Sequence, residues 1–159
     1  MNAQAVLEDV ADQVRVCQLC RLSQSRNNAV PGEGPVDADI LLVGEGPGFH
    51  EDQQGRPFVG AAGNFLEELL AGIGFNREDV YITNLVKCRP PGNRDPREDE
   101  LETCTSNYLD RQLEAIDPKV IVTLGRFSME RYFPGEKISR IHGQPKKQDG
   151  RMVVPMYHP

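Results

Sequence analysis

Four cysteines at irregular spacing are the residues of this chain best suited to holding a metal centre. Cys17 and Cys20 enclose two residues, Cys88 follows 68 positions after Cys20, and Cys104 follows 16 positions after Cys88. A zinc ribbon more often shows two close pairs, whereas four-thiolate iron–sulfur clusters accept irregular spacing. The spacing by itself leaves three alternatives open: an iron–sulfur cluster, a zinc site, or unrelated cysteines buried in the core.

Two further segments carry groups able to hold a small polar ligand. Gly44–Gly48 (GEGPG) follows an apolar run, and its three glycines let backbone N–H groups approach an acceptor oxygen closely. The segment is not a dinucleotide fingerprint, and no nucleoside-triphosphate loop occurs, so no nucleotide cofactor is predicted. Asn84 is a polar amide inside the apolar run Val80–Val86. It either bonds to nearby backbone or recognises a ligand that presents a donor beside an acceptor.

Short apolar runs predict the strands that must position these groups. Such runs occur at Ile40–Val43, Val80–Val86, Val120–Leu124 and, weakened by Pro155, at Met152–Met156. Each run is almost free of polar residues, which is typical of strands buried on both faces of a parallel sheet.

Amphipathic stretches between these runs predict helices. Apolar spacing predicts a first helix over about Ala3–Val16, and an apolar stripe over Phe65–Ile73 predicts another, with Gly74 as its C-terminal cap. A third is expected to start in Asp95–Glu98, with the aspartate as its cap, and to end at Asp117–Pro118. Strands that alternate with helices predict a three-layer α/β fold, a central four-stranded parallel sheet flanked by helices.

Open parallel sheets bind ligands in the crevice beyond the carboxyl ends of their strands. The GEGPG loop, Asn84, Gly125 and the final segment Tyr157–Pro159 each lie at such an end. We therefore expect these four segments to converge on one ligand site.

Composition sets the class of protein. The 159 residues carry a net charge of −6, with 38% hydrophobic and 26% charged residues, which indicates one soluble domain over residues 1–159. No apolar run approaches the ~20 residues of a membrane-spanning helix, and the acidic N-terminal segment does not resemble a secretory signal. We therefore expect a cytoplasmic, prokaryote-like protein. The negative charge argues against coating nucleic acid, but basic residues in Lys87–Arg97 and Gly135–Arg151 permit a local contact.

Motifs along nearly the whole chain resemble those of family 4 uracil-DNA glycosylases, the iron–sulfur members of their superfamily. The resemblance is carried by C-x-x-C-R-L (Cys17–Leu22), V-P-G-E-G (Val30–Gly34), the GEGPG loop, E-D with G-R-P-F-V-G (Glu51–Gly60), Y-I-T-N-x-V-K-C-R-P-P-x-N-R (Tyr81–Arg94) and a final H-P. It implies an α/β fold and hydrolysis of the N-glycosidic bond of uracil in DNA, which starts base excision repair. It also implies that Cys17, Cys20, Cys88 and Cys104 hold a structural four-iron, four-sulfur (4Fe-4S) cluster.

The same resemblance assigns roles in a uracil pocket. Phe58 is implied to stack on a uracil flipped out of the DNA, and Asn84 to pair with the uracil edge. The backbone around Gly46 and the imidazole of His158 are implied to face uracil O2. Donors aimed at O2 stabilise the negative charge that develops there as the base departs.

The resemblance also implies that a carboxylate near the GEGPG loop activates water. Glu45 is the candidate implied to position water or stabilise the sugar cation, and Glu51 is the second candidate. The other interpretation of Glu51 is a solvated acid or an ion pair with Arg56.

The basic loop and the end of the chain complete the comparison with the family. Arg89, Asn93 and Arg94 are implied to contact DNA phosphates. Family members continue beyond His158–Pro159 with wedge residues and a closing helix, so we expect a truncated member that lacks the C-terminal helix. The expected partner is uracil-containing DNA, bound by a monomer without membrane contact. The alternative function is a catalytically impaired iron–sulfur DNA-binding module.

Overall fold

A five-stranded sheet forms the centre of the computed structural model, which describes residues 2–159. The strands are β1 (Ile40–Gly44), β2 (Tyr81–Asn84), β3 (Val120–Leu124), β4 (Lys146–Gln148) and β5 (Arg151–Met156). They lie in the order β2-β1-β3-β5-β4. Strand β1 pairs in parallel with β2 and β3, and β3 pairs in parallel with β5. The carboxyl ends of four strands therefore share one edge, as predicted.

The predicted α/β class, with a mostly parallel central sheet between helices, is confirmed. The sheet contains five strands instead of four, because β4 adds to its edge antiparallel to β5. Asp149 and Gly150 join the two strands with φ angles of 53° and 80°. Positive φ at both residues is the conformation of a two-residue type I′ hairpin turn. Strand β4 is short and polar, so a search for apolar runs could not find it.

Seven α-helices surround the sheet in the described part of the chain. They are α1 (Ala3–Arg15), α2 (Phe49–Gln54), α3 (Ala61–Gly72), α4 (Glu98–Cys104), α5 (Asp110–Ile116), α6 (Arg126–Tyr132) and α7 (Ile138–Ile141). A π-helical segment, Thr105–Leu109, joins α4 to α5 in one continuous helical run. Single π-helical turns are rare and often lie at functional sites. This one starts directly after Cys104.

The predicted N-cap of this helical run was wrong. The run begins at Glu98, and the Glu100 carboxylate accepts the backbone N–H of Arg97 at 2.8 Å. Asp95 lies outside the helix and pairs with Arg126 at 3.0 Å. The helix therefore uses a buried glutamate in its first turn instead of the aspartate before it.

Alternate residues of β1 pack against different helices. Leu41 and Val43 belong to a core cluster with Leu113 of α5, whereas Leu42 belongs to a second cluster with Leu66 of α3. Successive side chains of a strand point to opposite faces of the sheet, so these contacts make the sheet the middle of three layers. Within residues 2–159, no helix combines the length and apolar character needed to cross a membrane.

Candidate functional site

A cavity of about 140 Å³ opens at the carboxyl ends of β1 and β2. This strand-end cavity is lined by residues of the GEGPG loop, α2, the segment between α2 and α3, α3, β2 and the final segment: Gly46, Gly48, Glu51, Phe58, Ala62, Asn84 and His158. It lies where open parallel sheets hold their ligands. The structure thus brings together the four residues that the sequence assigned to uracil, which come from separate parts of the chain.

Asn84 ends β2 and is buried, with 2% of its surface exposed. Its Oδ1 atom has no hydrogen-bond partner among residues 2–159. The Asn84 amide fits only because position 44 is glycine, since a Cβ there would lie 2.6 Å from Oδ1. A buried acceptor without a partner costs about 1–3 kcal/mol. The unsatisfied oxygen therefore points to a ligand that donates a hydrogen bond.

Lys87 holds the backbone of Asn84 from behind the cavity. Its Nζ atom donates to the carbonyl oxygen of Asn84 at 2.6 Å and to Thr83 Oγ1 at 2.7 Å. The side chain is 1% exposed, and burial lowers the pKa of Lys87 to about 8. This role was not predicted, because a lysine in a connecting segment normally faces solvent. The available signal was its place between the apolar run Val80–Val86 and Cys88.

Phe58 occupies a strained turn. Its φ angle is 48°, in the left-handed region that residues other than glycine seldom adopt. Arg77 donates to the carbonyl oxygens of Pro57 and Phe58, the latter at 2.6 Å. Gly63 admits this turn, because a Cβ there would lie 1.9 Å from the Phe58 carbonyl oxygen. Arg77, which the sequence analysis missed, is thus a positioning residue for the Phe58 ring.

The Glu51 carboxylate joins two loops at the cavity. Oε1 accepts the N–H of Gly48 at 3.0 Å, and Oε2 accepts the N–H groups of Val59 and Gly60 at 3.0 and 3.1 Å. Burial would raise the pKa of Glu51, but these backbone donors outweigh it and lower the pKa. Arg56, the ion-pair partner considered from the sequence, pairs with Glu33 instead.

His158 and Glu45 differ in their relation to the cavity. The His158 ring faces the Phe58 ring, with centroids 5.7 Å apart and planes inclined by 29°. Burial lowers the pKa of His158, which favours the neutral imidazole. Glu45 is partly buried but does not line the cavity. Burial and the neighbouring Asp95 carboxylate raise the pKa of Glu45. Its role with water stays a prediction.

All four cysteines line a second cavity, between the end of α1, the segment that follows it, the loop after β2 and the end of α4. All four thiols are free. Three N–H donors point at sulfur: Leu19 N–H to Cys17 at 3.5 Å, Arg26 Nη1 to Cys88 at 3.2 Å, and Lys87 N–H to Cys104 at 3.3 Å. Hydrogen bonds of this kind surround the sulfurs of iron–sulfur clusters and tune them.

The four cysteine side chains face one shared cavity. Across residues 2–159, no three His, Cys, Asp or Glu side chains form a group that could hold one metal ion. The four thiols instead surround a space between them, beside the buried residues Val14, Leu22 and Tyr108. A cavity lined by four thiols matches the donor set of a four-thiolate iron–sulfur cluster.

The predicted DNA-contact residues differ in their freedom to bind a phosphate. Arg89 Nε donates to Asn93 Oδ1 at 2.7 Å, and Asn93 is exposed. Arg94 forms two hydrogen bonds with the buried carboxylate of Glu100, at 2.8 and 2.9 Å. This pairing with Arg94 is the main reason that the pKa of Glu100 falls to about 2. Arg94 is thus engaged within the protein, and the phosphate contacts of Arg89, Asn93 and Arg94 stay a prediction.

Comparison with known proteins places these features in a family. The sequence model of the uracil DNA glycosylase superfamily matches residues 31–159. The type-4 uracil-DNA glycosylase of Sulfurisphaera tokodaii is 50% identical over 163 residues, which cover 96% of this chain and 74% of the relative. That of Archaeoglobus fulgidus is 49% identical, covering 96% and 81%. That of Thermotoga maritima is 46% identical, covering 97% and 81%.

Proposed function

This chain belongs to the uracil DNA glycosylase superfamily, and we propose that it acts as a type-4 uracil-DNA glycosylase. The reaction is hydrolysis of the bond between uracil N1 and deoxyribose C1′, which leaves an abasic site in DNA and starts repair. The observation that carries this function is the buried amide of Asn84, which lies in the strand-end cavity with its oxygen unpaired among residues 2–159.

Uracil recognition follows from the groups around that amide. Asn84 Oδ1 accepts the N3–H of uracil, and its NH₂ group donates to O4. Cytosine presents an acceptor at N3 and a donor at position 4. Its acceptor would therefore face Asn84 Oδ1 and its donor would face the Asn84 NH₂ group, so neither hydrogen bond could form. The Phe58 ring provides the surface on which the extruded base stacks, because Arg77 and Gly63 hold its backbone in place.

The chemical step separates charge. The electron pair of the C1′–N1 bond leaves with uracil, so negative charge develops on the base and positive charge on the sugar. The backbone at Gly46 and the imidazole of His158 donate toward O2, where one such donor contributes about 3 kcal/mol to the transition state. Water adds its hydroxyl group to C1′ and gives up a proton, and the uracil anion takes one up from solvent. Glu45, beside Gly46, is the carboxylate proposed to orient this water.

We also propose that Cys17, Cys20, Cys88 and Cys104 hold a 4Fe-4S cluster. These cysteines lie in the segment after α1, in the loop after β2 and at the end of α4, so a bound cluster would cross-link these segments. Its role would be structural, because glycosidic hydrolysis is not a redox reaction. Lys87 lies between the two sites, since its N–H faces Cys104 and its Nζ binds Asn84. The cysteine site therefore supports the backbone that carries the uracil-recognising amide.

The test is release of free uracil from an oligonucleotide with one deoxyuridine, in single- and double-stranded form. Matched oligonucleotides with thymine or cytosine at the same position serve as controls. We expect release from the deoxyuridine substrates only, and about four iron and four sulfide ions per chain in anaerobically purified protein. Absence of uracil release from iron-loaded protein would contradict the proposed function.

A further inference from the structure

Phe49 is an exposed aromatic side chain next in sequence to the lining of the strand-end cavity. It is the first residue of α2, directly after Gly48 and two residues before Glu51, both of which line the cavity. Half of its surface is exposed, at 50%. The side chain is therefore half exposed to solvent and lies one residue along the chain from the cavity lining.

The Phe49 ring has a cation on one face. The Arg89 guanidinium carbon lies 5.4 Å from the ring centroid, a distance typical of a cation–π contact. Arg89 belongs to the loop after β2, and its Nε atom is held by Asn93 Oδ1 at 2.7 Å. The His50 ring meets Phe49 edge-on, with centroids 5.4 Å apart. Two separate segments of the chain thus orient this exposed ring.

We propose that Phe49 and Arg89 form a stacking ledge for the DNA base next to the extruded uracil. The inference rests on the proposed function, because that function brings a flipped nucleotide and its neighbours to this rim. An aromatic ring beside a cation is how proteins hold unpaired bases, since the ring stacks on the base and the cation attracts the phosphate. The ledge is sequence-tolerant, because every base has a face on which to stack.

The position of the ledge favours DNA over a protein partner. Phe49 directly follows a residue of the cavity lining, and the guanidinium of Arg89 lies over its ring. A nucleic acid supplies the complementary negative charge at every nucleotide. Flipping one base also unstacks its neighbour, which leaves that neighbour with a free face at this rim.

The experiment couples the ledge to the neighbouring base. Wild type and Phe49→Ala are compared on three single-stranded substrates: an unmodified one, and two with an abasic spacer on the 5′ or the 3′ side of deoxyuridine. We expect Phe49→Ala to lower kcat/KM about ten-fold on the unmodified substrate, the effect of losing one base–aromatic stack. On one of the spacer substrates the loss should shrink to less than about two-fold, because the stacked base is already missing.

Two further variants separate stacking from bulk. Phe49→Trp keeps an aromatic face and should retain wild-type kcat/KM, whereas Phe49→Leu keeps apolar volume without a face and should behave as Phe49→Ala. Leu69→Ala is the matched control, because Leu69 on α3 is exposed to 48% and does not line the cavity. Leu69→Ala should leave kcat/KM unchanged on all three substrates.

Equal loss on all three substrates, or no loss on any, would overturn the ledge. Equilibrium affinity for the same oligonucleotides is measured alongside and needs no turnover. If the wild type releases no uracil but Phe49→Ala still weakens binding only when the neighbouring base is present, the ledge stands and the proposed function fails. The other outcome is that uracil is released, but the effect of Phe49→Ala on kcat/KM and on affinity is the same with and without the neighbouring base. In that case the ledge fails and the proposed function stands.

Discussion

Replacing Asn84 with alanine removes a buried amide whose oxygen has no partner among residues 2–159. The backbone carbonyl that Lys87 binds is unchanged by this substitution. An unsatisfied buried acceptor costs about 1–3 kcal/mol, so its removal offsets the packing lost with the side chain. We expect the free energy of unfolding to stay level or to rise by about 1 kcal/mol. For a chain of this size, that rise would increase the Tm by ~2–4 °C.

The same substitution should abolish most of the activity. Asn84→Ala removes the donor and the acceptor proposed for the uracil edge, and loss of one well-placed donor already costs about 10²–10³ in rate. Protein stability and activity are therefore expected to respond in opposite directions at this residue.

The assay measures both properties on one preparation. Thermal unfolding is followed by circular dichroism, and uracil release is measured in a single turnover at matched iron content. Thr83→Val is the control, because Thr83 is equally buried but its hydroxyl bonds to Lys87 Nζ at 2.7 Å and to the Pro31 carbonyl at 2.9 Å. It should lose about 1–3 kcal/mol of stability. A Tm several degrees lower in Asn84→Ala, together with wild-type uracil release, would show that Asn84 stabilises the fold and does not recognise uracil.

Three further predictions concern the groups that support the site. Arg77→Ala should lower unfolding stability by about 1–3 kcal/mol and slow uracil release, because two carbonyls lose their donor. Arg77→Lys, with fewer donors, should restore either property only in part. Glu51 has a lowered pKa, so its stabilisation should be complete above pH ~4.5 and fade as the pH falls through the lowered value. Urea unfolding should show that the difference in unfolding free energy between wild type and Glu51→Gln shrinks in acid. A difference that is constant with pH would contradict this prediction. Cys104→Ala should show a weaker iron absorbance and a lower Tm together. An undiminished iron content per chain would exclude Cys104 as a ligand.

The strands illustrate how far local pattern determines a fold. Ile40–Val43 and Val120–Leu124 were predicted as strands from unbroken apolar runs, and β1 and β3 occupy these positions. Burial on both faces of a parallel sheet requires such runs, so the pattern and the structure have one cause. Strand β4 escaped prediction because an exposed edge strand imposes no apolar requirement on its sequence.

The candidate site, like the strands, is predictable from the sequence only in part. Asn84 is recognisable in the sequence as an amide in an apolar strand, whereas the spacing of the four cysteines left three alternatives open and only the family resemblance implied a cluster. The expectation that the GEGPG loop, Asn84 and His158 meet follows from the parallel order of the strands, which brings their carboxyl ends to one edge. These inferences need only the types of residues and their order along the chain.

The groups that support that site become visible only in the folded protein. Arg77 binds a carbonyl 19 positions away, and Gly63 admits the Phe58 turn by the absence of one carbon atom. Lys87 is buried and bound to Asn84, although lysines usually face solvent. Hydrophobic periodicity is a local property that the chain order encodes directly. Hydrogen-bond partners depend on the distances and directions between atoms of separate segments, which exist only once the layers have packed.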